Sequence, residues 1–325
     1  MSQHSLLPKR LLALLALLTV IFAYAALLNA QRPTATTQNP NTPAPREQAT
    51  SAMRTNFPDE VPASPTATGT ATTPNANAAP AGDPAFLARA NDSLLLARKR
   101  IDEFFEQTAN VVCNEDVAQT MVGKNGKPMY REESVFEYQL QPNTRSGSLK
   151  LVESREPRKE AFRDPTKTLL ITNGFASMLL VLHQNFEPSY TFQPVGEEVI
   201  DGRTLVKIHF KPVPGASSPA AIQLRSRNYP LPLTGDVWIE RETGSVVKLI
   251  TSLESSMDDL GLHDLRSEIH YSIVQFHDPE EAYWMPASAV IDVETPKQHW
   301  RNVHRFTSYK RFRATIQVEF GDTKP

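Results

Sequence analysis

The sequence predicts an α+β fold: a curled antiparallel β-sheet of about ten or eleven strands, forming a half-open barrel, with an N-terminal helix and an inserted helix as lid. Two observations predict it. From residue 111 onward, apolar and polar residues alternate with a period near two, and turn residues separate the alternating runs. Two other stretches carry apolar residues at helical spacing. A sheet of this many strands is long enough to curl, and helices then cover one side of it.

The first thirty residues have the pattern of an export signal peptide or a signal anchor. Lys9 and Arg10 precede residues 11–30, which carry no charge, as a basic region precedes an apolar one in such signals. Cleavage after Ala25 and cleavage after Ala30 both remain open. Without cleavage, the apolar run at ~1.5 Å per residue spans the ~30 Å core of a bilayer. We therefore expect a periplasmic or otherwise extracytoplasmic protein, either free or anchored in the inner membrane.

Residues 31–82 are dominated by Pro, Thr and Ala, a composition that buries too little apolar surface to fold. We expect a disordered tether that holds the β domain, residues 83–325, away from a membrane. The single cysteine, Cys113, allows no intramolecular disulfide and is expected to be a buried structural thiol. The net charge of −2, with basic residues spread along the chain, argues against a nucleic-acid partner.

The predicted N-terminal helix begins at Asp83 and Pro84, an N-cap residue followed by proline at the first helical position. Its apolar face recurs every three or four residues and is formed by Leu87, Ala90, Leu94, Ala97, Ile101, Phe104 and Phe105. The second, shorter helix lies in the middle of the domain, over the sheet or across its mouth. Its apolar residues are Phe175, Met178, Leu179, Leu182 and Phe186.

The remaining segments are predicted as strands because they alternate and are bounded by turn residues. Asn125-Gly126, Asp201-Gly202 and Glu242-Thr243-Gly244 mark three of the hairpin turns. The Asn-Gly pair suits a hairpin because both residues tolerate a positive φ. The predicted strands are 111–122, 129–141, 149–153, 197–200, 205–210, 236–241, 246–252, 266–277, 283–294 and 300–320, the last of them interrupted.

Two local motifs and the order of elements resemble the LolA-like superfamily of periplasmic lipoprotein carriers. Residues 229–244 read YPLPLTGDVWIERETG, which resembles the family's strand, acidic turn with Thr-Gly, and next strand. Residues 283–286, YWMP, resemble its later turn before a strand. The resemblance spans about residues 84–320 and implies a half-open barrel with a hydrophobic interior. It carries no residue roles, and related folds also serve as envelope sensor domains.

Sequence motifs of catalysis and of cofactor or metal binding are missing, so no catalytic residue, cofactor or metal ligand is assigned. His263, His270 and His277 recur every seven residues, which in a strand sends successive side chains to opposite faces. His299 and His304 have Trp and Arg between them, and we expect no acidic partner close to either. The acidic residues of the first hairpin are expected to be solvated; they are Glu115, Asp116, Glu132 and Glu133.

The predicted function is non-catalytic binding of a hydrophobic ligand, a lipid or a lipoprotein acyl chain, by an exported carrier. Large apolar residues of the barrel are the candidate ligand contacts: Phe136, Tyr138, Leu179, Leu182, Trp238, Ile239 and Trp284. A membrane-anchored sensor or scaffold with an envelope protein partner is the first alternative. A hydrolase without a recognisable motif is the second, and it predicts an enclosed polar cluster with perturbed pKa values.

Overall fold

The computed structural model describes residues 19–21, 83–107, 110–142, 151–158, 171–224, 227–277 and 280–311. The predicted tether and most of the predicted export segment lie outside the described residues. Within this part of the chain, no helix has the length and the apolar character needed to cross a bilayer.

The described strands are numbered in chain order and form one large and one small sheet. They are β1 (Thr19–Ile21), β2 (Val111–Val122), β3 (Pro128–Pro142), β4 (Leu151–Pro157), β5 (Ile171–Asn173), β6 (Tyr190–Ile200), β7 (Arg203–Pro212), β8 (Ala221–Leu224), β9 (Arg227–Pro230), β10 (Leu233–Glu240), β11 (Val246–Leu253), β12 (Asp264–His277), β13 (Glu280–Glu294) and β14 (His299–Arg311).

The large sheet has ten strands in the order β4-β3-β2-β14-β13-β12-β11-β10-β7-β6, all pairs antiparallel. Its outermost strands, β4 and β6, do not pair with each other, so the sheet stays open. The pair β2–β14 joins the first and the last strand of the domain. The predicted antiparallel sheet with an N-terminal helix is confirmed.

Helix α1 (Pro84–Gln107) begins where the sequence predicts, because the Asp83 carboxylate accepts the backbone N–H of Ala85 at 3.0 Å. Its buried face matches the predicted one from Ala90 onward. Phe86, rather than the half-buried Leu87, fills the first inward position. The helix contacts β6, β7 and β10, and so covers the β6 end of the sheet's inner face.

The predicted inserted helix is a 3-10 helix, Ser177–Leu182, which we call the lid segment. All six of its residues are buried. It contacts α1 on one side, and the Tyr271 hydroxyl of β12 donates to the carbonyl of Phe175 just before it, at 2.9 Å. A second 3-10 turn, Glu187–Ser189, follows, and Phe186 is half-buried beyond the lid segment. A tight 3-10 turn suits so short an element.

Gly244 lies where the turn between β10 and β11 touches α1. Its φ is +70°, and a Cβ there would lie 2.6 Å from Leu96 Cγ and 2.7 Å from the Leu96 carbonyl carbon. Only glycine fits both the backbone and the contact. Arg100 of α1 donates from Nε to the carbonyl of Thr243 in the same turn. The Thr-Gly turn therefore docks the helix on the sheet.

The small sheet has the order β5-β1-β8-β9, with β1 in an inner position. Strand β1 runs parallel to β5 and antiparallel to β8. Thr172 of β5 bonds to His304 of β14, so the small sheet touches the inner face of the large one. The lid segment touches the same face through Ser177 and Glu153 of β4.

Candidate functional site

A cluster of polar side chains lies buried on the inner face of the large sheet. It comprises Glu115 (β2), Glu153 and Arg155 (β4), Thr172 (β5), Ser177 (lid segment), and Asn302 and His304 (β14), and we call it the polar cluster. Strand alternation explains its position. Val111, Cys113 and Val117 of β2 point inward, so Glu115, with the same parity, is inward too. The cluster is therefore built from positions that the fold would normally fill with apolar residues.

Glu115 holds the centre of the polar cluster. Its Oε1 accepts from Arg155 Nη2 at 2.7 Å and lies 2.8 Å from His304 Nδ1. The other carboxylate oxygen, Oε2, is buried without a hydrogen-bond partner among the described residues. A buried carboxylate is tolerated here because a guanidinium and an imidazole both bind it.

His304 connects Glu115 to the small sheet. Its Nε2 lies 2.7 Å from the hydroxyl oxygen of Thr172. Burial lowers the pKa of His304, which favours the neutral imidazole, and Arg155 acts in the same direction while Glu115 opposes it. A neutral ring bound to the carboxylate carries its proton on Nδ1 and accepts the Thr172 hydroxyl proton at Nε2. The result is a carboxylate–imidazole–hydroxyl chain.

Glu153 ties the lid segment to the sheet. Its Oε1 accepts the backbone N–H of Ser177 at 2.6 Å and the Ser177 hydroxyl at 2.5 Å, and its Oε2 accepts the hydroxyl of Tyr138. Burial raises the pKa of Glu153, and the hydrogen bonds from Ser177 and Tyr138 partly oppose that shift. Burial also raises the pKa of Tyr138 well above its ordinary range. The carboxyl group is thus the polar link between the lid segment and β3–β4.

Aromatic rings enclose the polar cluster. The Phe175 ring lies 4.6 Å from the His304 ring and 5.2 Å from Phe306, measured between centroids. The guanidinium of Arg155 lies 5.5 Å from the Phe136 ring and 6.0 Å from the Phe175 ring. Such rings stabilise a partly desolvated cation through their faces. The interior around the cluster is packed with side chains.

Four of the seven predicted ligand-contact residues lie beside the polar cluster. Phe136 and Tyr138 lie on β3, and Leu179 and Leu182 lie on the lid segment, which Glu153 links to Tyr138. All four are buried.

The other three predicted residues lie elsewhere. Ile239 is fully buried on β10, one of the strands that α1 contacts. Trp238 makes cation–π contacts with two lysines, since Lys207 Nζ lies 4.9 Å and Lys248 Nζ 4.7 Å from the centroid of its ring. Trp284 is half-buried, with the Arg203 guanidinium 5.6 Å from its ring. Ligand binding by the seven residues stays a prediction.

Two sequence expectations were wrong at the polar cluster. Glu115 was expected to be solvated and is fully buried, whereas Asp116 and Glu133 are exposed and Glu132 is half-buried. His304 does have an acidic partner, since Glu115 faces it from 189 positions earlier in the chain. So does His299 outside the cluster, whose Nε2 lies 3.2 Å from Asp292 Oδ1. The inward parity of Glu115 was the signal that could have identified it. The pairing of β2 with β14 was not readable from local pattern.

The remaining candidates, one cysteine and three histidines, lie outside the polar cluster. Cys113 is buried, and burial raises the pKa of its thiol, so it is a poor nucleophile. His263, His270 and His277 are exposed, and the first two bind Asp258 and Glu268 instead. Within the described ranges, no group of three or more His, Cys, Asp or Glu is placed to hold a metal ion.

A cavity of about 1510 Å³ lies at the outer face of the large sheet, around the ends of two hairpins. Residues that alternate with the inward ones line it, among them Thr120 of β2 and Arg301 and Arg305 of β14. The hairpin turns after β2 and after β13 form its walls. It is therefore separated from the polar cluster by the sheet itself.

The class of protein is defined by the fold: an open antiparallel sheet whose inner face is covered by one helix, a lid segment and a small sheet. No protein-family model matches the chain. No curated protein matches it either.

Several solved structures are similar to it, among them the following two. An outer membrane lipoprotein-sorting protein domain from Vibrio parahaemolyticus is 9% identical over 70% of this chain and 95% of its own, with a TM-score of 0.35. A DUF1329 family protein from Desulfovibrio piger is 11% identical over 69% of this chain and 93% of its own, with a TM-score of 0.31. At these TM-scores, neither likeness says what this chain binds or does.

Proposed function

We propose that this is an exported, extracytoplasmic carrier that binds a hydrophobic ligand, a lipid or a lipoprotein acyl chain, under the lid segment without catalysis. The observation that carries the proposal is the lid segment itself. It covers the inner face with six buried residues, yet it belongs to neither sheet. Its removal breaks no strand pairing.

Apolar contacts make such a lid exchangeable. The burial of Met178, Leu179 and Leu182 is non-directional, so an acyl chain that enters the same space can replace much of it. Within the lid segment, the directional attachment is at Ser177, whose N–H and hydroxyl donate to Glu153. Polar contacts also flank the segment, from the Phe175 carbonyl to Tyr271 and from His183 to Asp102. Opening the lid segment therefore requires the loss of the Glu153 anchor and the replacement of apolar contacts by ligand.

The proposal is tested by ligand content and by uptake of an acyl probe. The protein is purified from its own envelope fraction and examined by native mass spectrometry for bound lipid, and its uptake of a fluorescent fatty acid is then measured. We expect bound lipid and saturable uptake. If no lipid is bound and the probe is not taken up, the carrier role is wrong.

Glu153 supplies a matched pair of variants for the uptake experiment. Glu153→Ala removes the anchor, so the acyl probe should enter several-fold faster than in the unchanged protein. Glu153→Gln keeps an acceptor for the Ser177 N–H and should stay near the original rate. Equal uptake rates in all three proteins would show that the lid segment does not gate entry.

A second candidate function, hydrolysis, is favoured by the chain Glu115–His304–Thr172. Its order, carboxylate to imidazole to hydroxyl, is that of an acyl-transfer relay. Both His304 and Thr172 are fully buried, which closes the chain to solvent and makes a structural bond to β5 the better account. Turnover of an activated acyl ester that Thr172→Val abolishes, with stability retained, would favour the hydrolase over the carrier.

The anchored sensor or scaffold remains the alternative that depends on residues 1–30. It needs these residues in the exported protein, whereas a diffusing carrier loses them. An intact-mass measurement of the protein from the envelope separates the two. A mass that includes residues 1–30 favours the anchored form.

A further inference from the structure

Strand β1 lies between β5 and β8 in the small sheet, where there is room for one extended strand. Val20 is opposite Thr172 of β5 on one side and opposite Ile222 of β8 on the other. The backbone of β1 therefore pairs at both edges. Strand β9 pairs with β8 on its far side, so β5 and β8 meet only through β1.

The two strands on either side of β1, β5 and β8, have buried residues opposite it. Thr172 and Ile222 are fully buried and Ala221 nearly so. Without β1, the facing edges of β5 and β8 would stand roughly 9–10 Å apart, which is two strand spacings. Their N–H and C=O groups would lose their partners there, and unpaired backbone groups in a buried place are costly.

Processing at either predicted cleavage point removes the strand that fills this place. Both points, after Ala25 and after Ala30, follow Ile21 in the chain. The exported form that a cleaved signal predicts would then carry an empty gap between β5 and β8. We call this gap the strand slot.

We propose, resting on the carrier role above, that the strand slot binds an extended apolar segment of another exported polypeptide by strand addition. Backbone pairing with β5 and β8 requires no particular sequence in the guest. The surroundings select for apolar residues, because Ala220, Ile222 and Leu231 are fully buried around β8 and β9. The segment that fills the slot in this structure comes from an uncharged run and has that character.

The slot joins the guest to the polar cluster. Thr172, which faces Val20 in the register, also bonds to His304 and accepts from Asn302 Nδ2 at 3.4 Å. The wall strand β5 is thus also attached to β14 of the large sheet through a side chain, independently of its pairing with β1. A pre-formed wall lowers the ordering cost of binding a strand.

The test uses a fluorescent peptide with the sequence of residues 15–25, LALLTVIFAYA, with lysines added at both ends for solubility. Its matched control is the same peptide N-methylated at Val20 and Ile21, which removes one donor toward each wall and keeps the apolar side chains. Binding is measured to the full chain, to the full chain with Val20→Pro, and to the chain that starts at Gln31. Intact mass establishes the N-terminus of each.

We expect the chain from Gln31 and the Val20→Pro chain to bind the peptide at least tenfold more tightly than the unchanged full chain, whose slot is filled. The N-methylated peptide should bind at least tenfold more weakly than its parent. Equal binding of both peptides, or no binding to any form, overturns the strand slot. A full chain with Val20→Leu, which keeps the amide, should behave as the unchanged one.

Uptake of the acyl probe is measured in the same samples, so that the strand slot and the carrier role are tested independently of each other. Uptake of the probe without binding of the peptide overturns the strand slot and leaves the carrier role. Peptide binding that depends on the free amides, without uptake of the probe, supports the slot and overturns the lipid carrier.

Discussion

Glu153 binds the lid segment through two hydrogen bonds from Ser177, and its carboxyl group is buried. Glu153→Ala leaves the Ser177 N–H, the Ser177 hydroxyl and the Tyr138 hydroxyl without their acceptor. An unsatisfied buried group costs about 1–3 kcal/mol, so we expect a loss of about 3 kcal/mol or more in the free energy of unfolding. Urea denaturation measures it.

The matched change Glu153→Gln keeps a carbonyl oxygen for Ser177, and its loss should be less than half as large. A Glu153→Ala protein as stable as the unchanged one would mean that water or another side chain replaces the carboxylate.

Gly244 offers a second test at the level of single residues. Gly244→Ala places a Cβ at a positive φ, which costs roughly 1–2 kcal/mol, and also pushes it into Leu96 and Ala97 of α1. The control is Gly215→Ala, because Gly215 has a φ of +78° and open space around its Cβ position. We expect Gly244→Ala to lower the thermal midpoint clearly more than Gly215→Ala. Equal shifts would show that α1 moves freely away from the turn.

At the level of elements, the lid segment and the long strands differ in how they are held. The lid segment has local 3-10 bonds and the Glu153 anchor, while β12 and β13 are paired along their whole length. Its amides should therefore exchange with deuterium by a local opening that is easier than global unfolding. Exchange mass spectrometry on peptides covering 177–182 and 283–294 checks this.

Exchange of the 177–182 peptide should become faster when the acyl probe is bound, because the ligand replaces the apolar contacts that hold the lid segment on the sheet. Peptides from the lid segment and from β13 that exchange equally slowly would rule out a mobile lid.

Most of the elements were predictable because their causes are local. Alternation, the Asp83-Pro84 start of α1 and the Asp201-Gly202 turn follow from neighbouring residues, and the turn has φ values of 51° and 75° as its residue types suggest. The polar cluster was not predictable because its members come from strands far apart in sequence. The inserted helix was located correctly, but apolar spacing over so few residues does not distinguish a 3-10 helix from an α-helix.

At the level of the whole molecule, the buried imidazole makes stability depend on pH. The pKa of His304 is lowered in the folded protein, so below the ordinary value of 6.5 the unfolded chain binds a proton that the folded protein does not. Stability is therefore full above that pH and falls as the pH drops, by up to about 1.4 kcal/mol per pH unit. Glu115 and Arg155 are the charged groups that face the ring.

The measurement is urea denaturation at pH 7.5 and pH 5 for the unchanged protein and for His304→Gln. Glu153, whose raised pKa acts in the opposite direction above 4.5, is present in both and cancels from the comparison. The variant should lose less stability between the two pH values. His277→Gln, at an exposed position, serves as control and should follow the unchanged protein. Parallel pH profiles for all three proteins would contradict the assignment.

Truncation tests how far the domain depends on its last strand. Removing residues 299–325 takes away β14 and leaves β2 and β13 with open edges. It also removes His304 and exposes Glu115. We expect no cooperative unfolding transition in the truncated chain, measured by circular dichroism during heating. A cooperative transition would show that the two halves of the sheet fold separately.

The pairing of β2 with β14 also sets when the large sheet can form. Strand β2 is synthesised early, but its partner comes from the last of the described residues, and contacts this distant in sequence form slowly. The large sheet therefore has no complete form until residues 299–311 have been synthesised. For the exported carrier proposed above, the sheet would then close only after these residues had crossed the membrane.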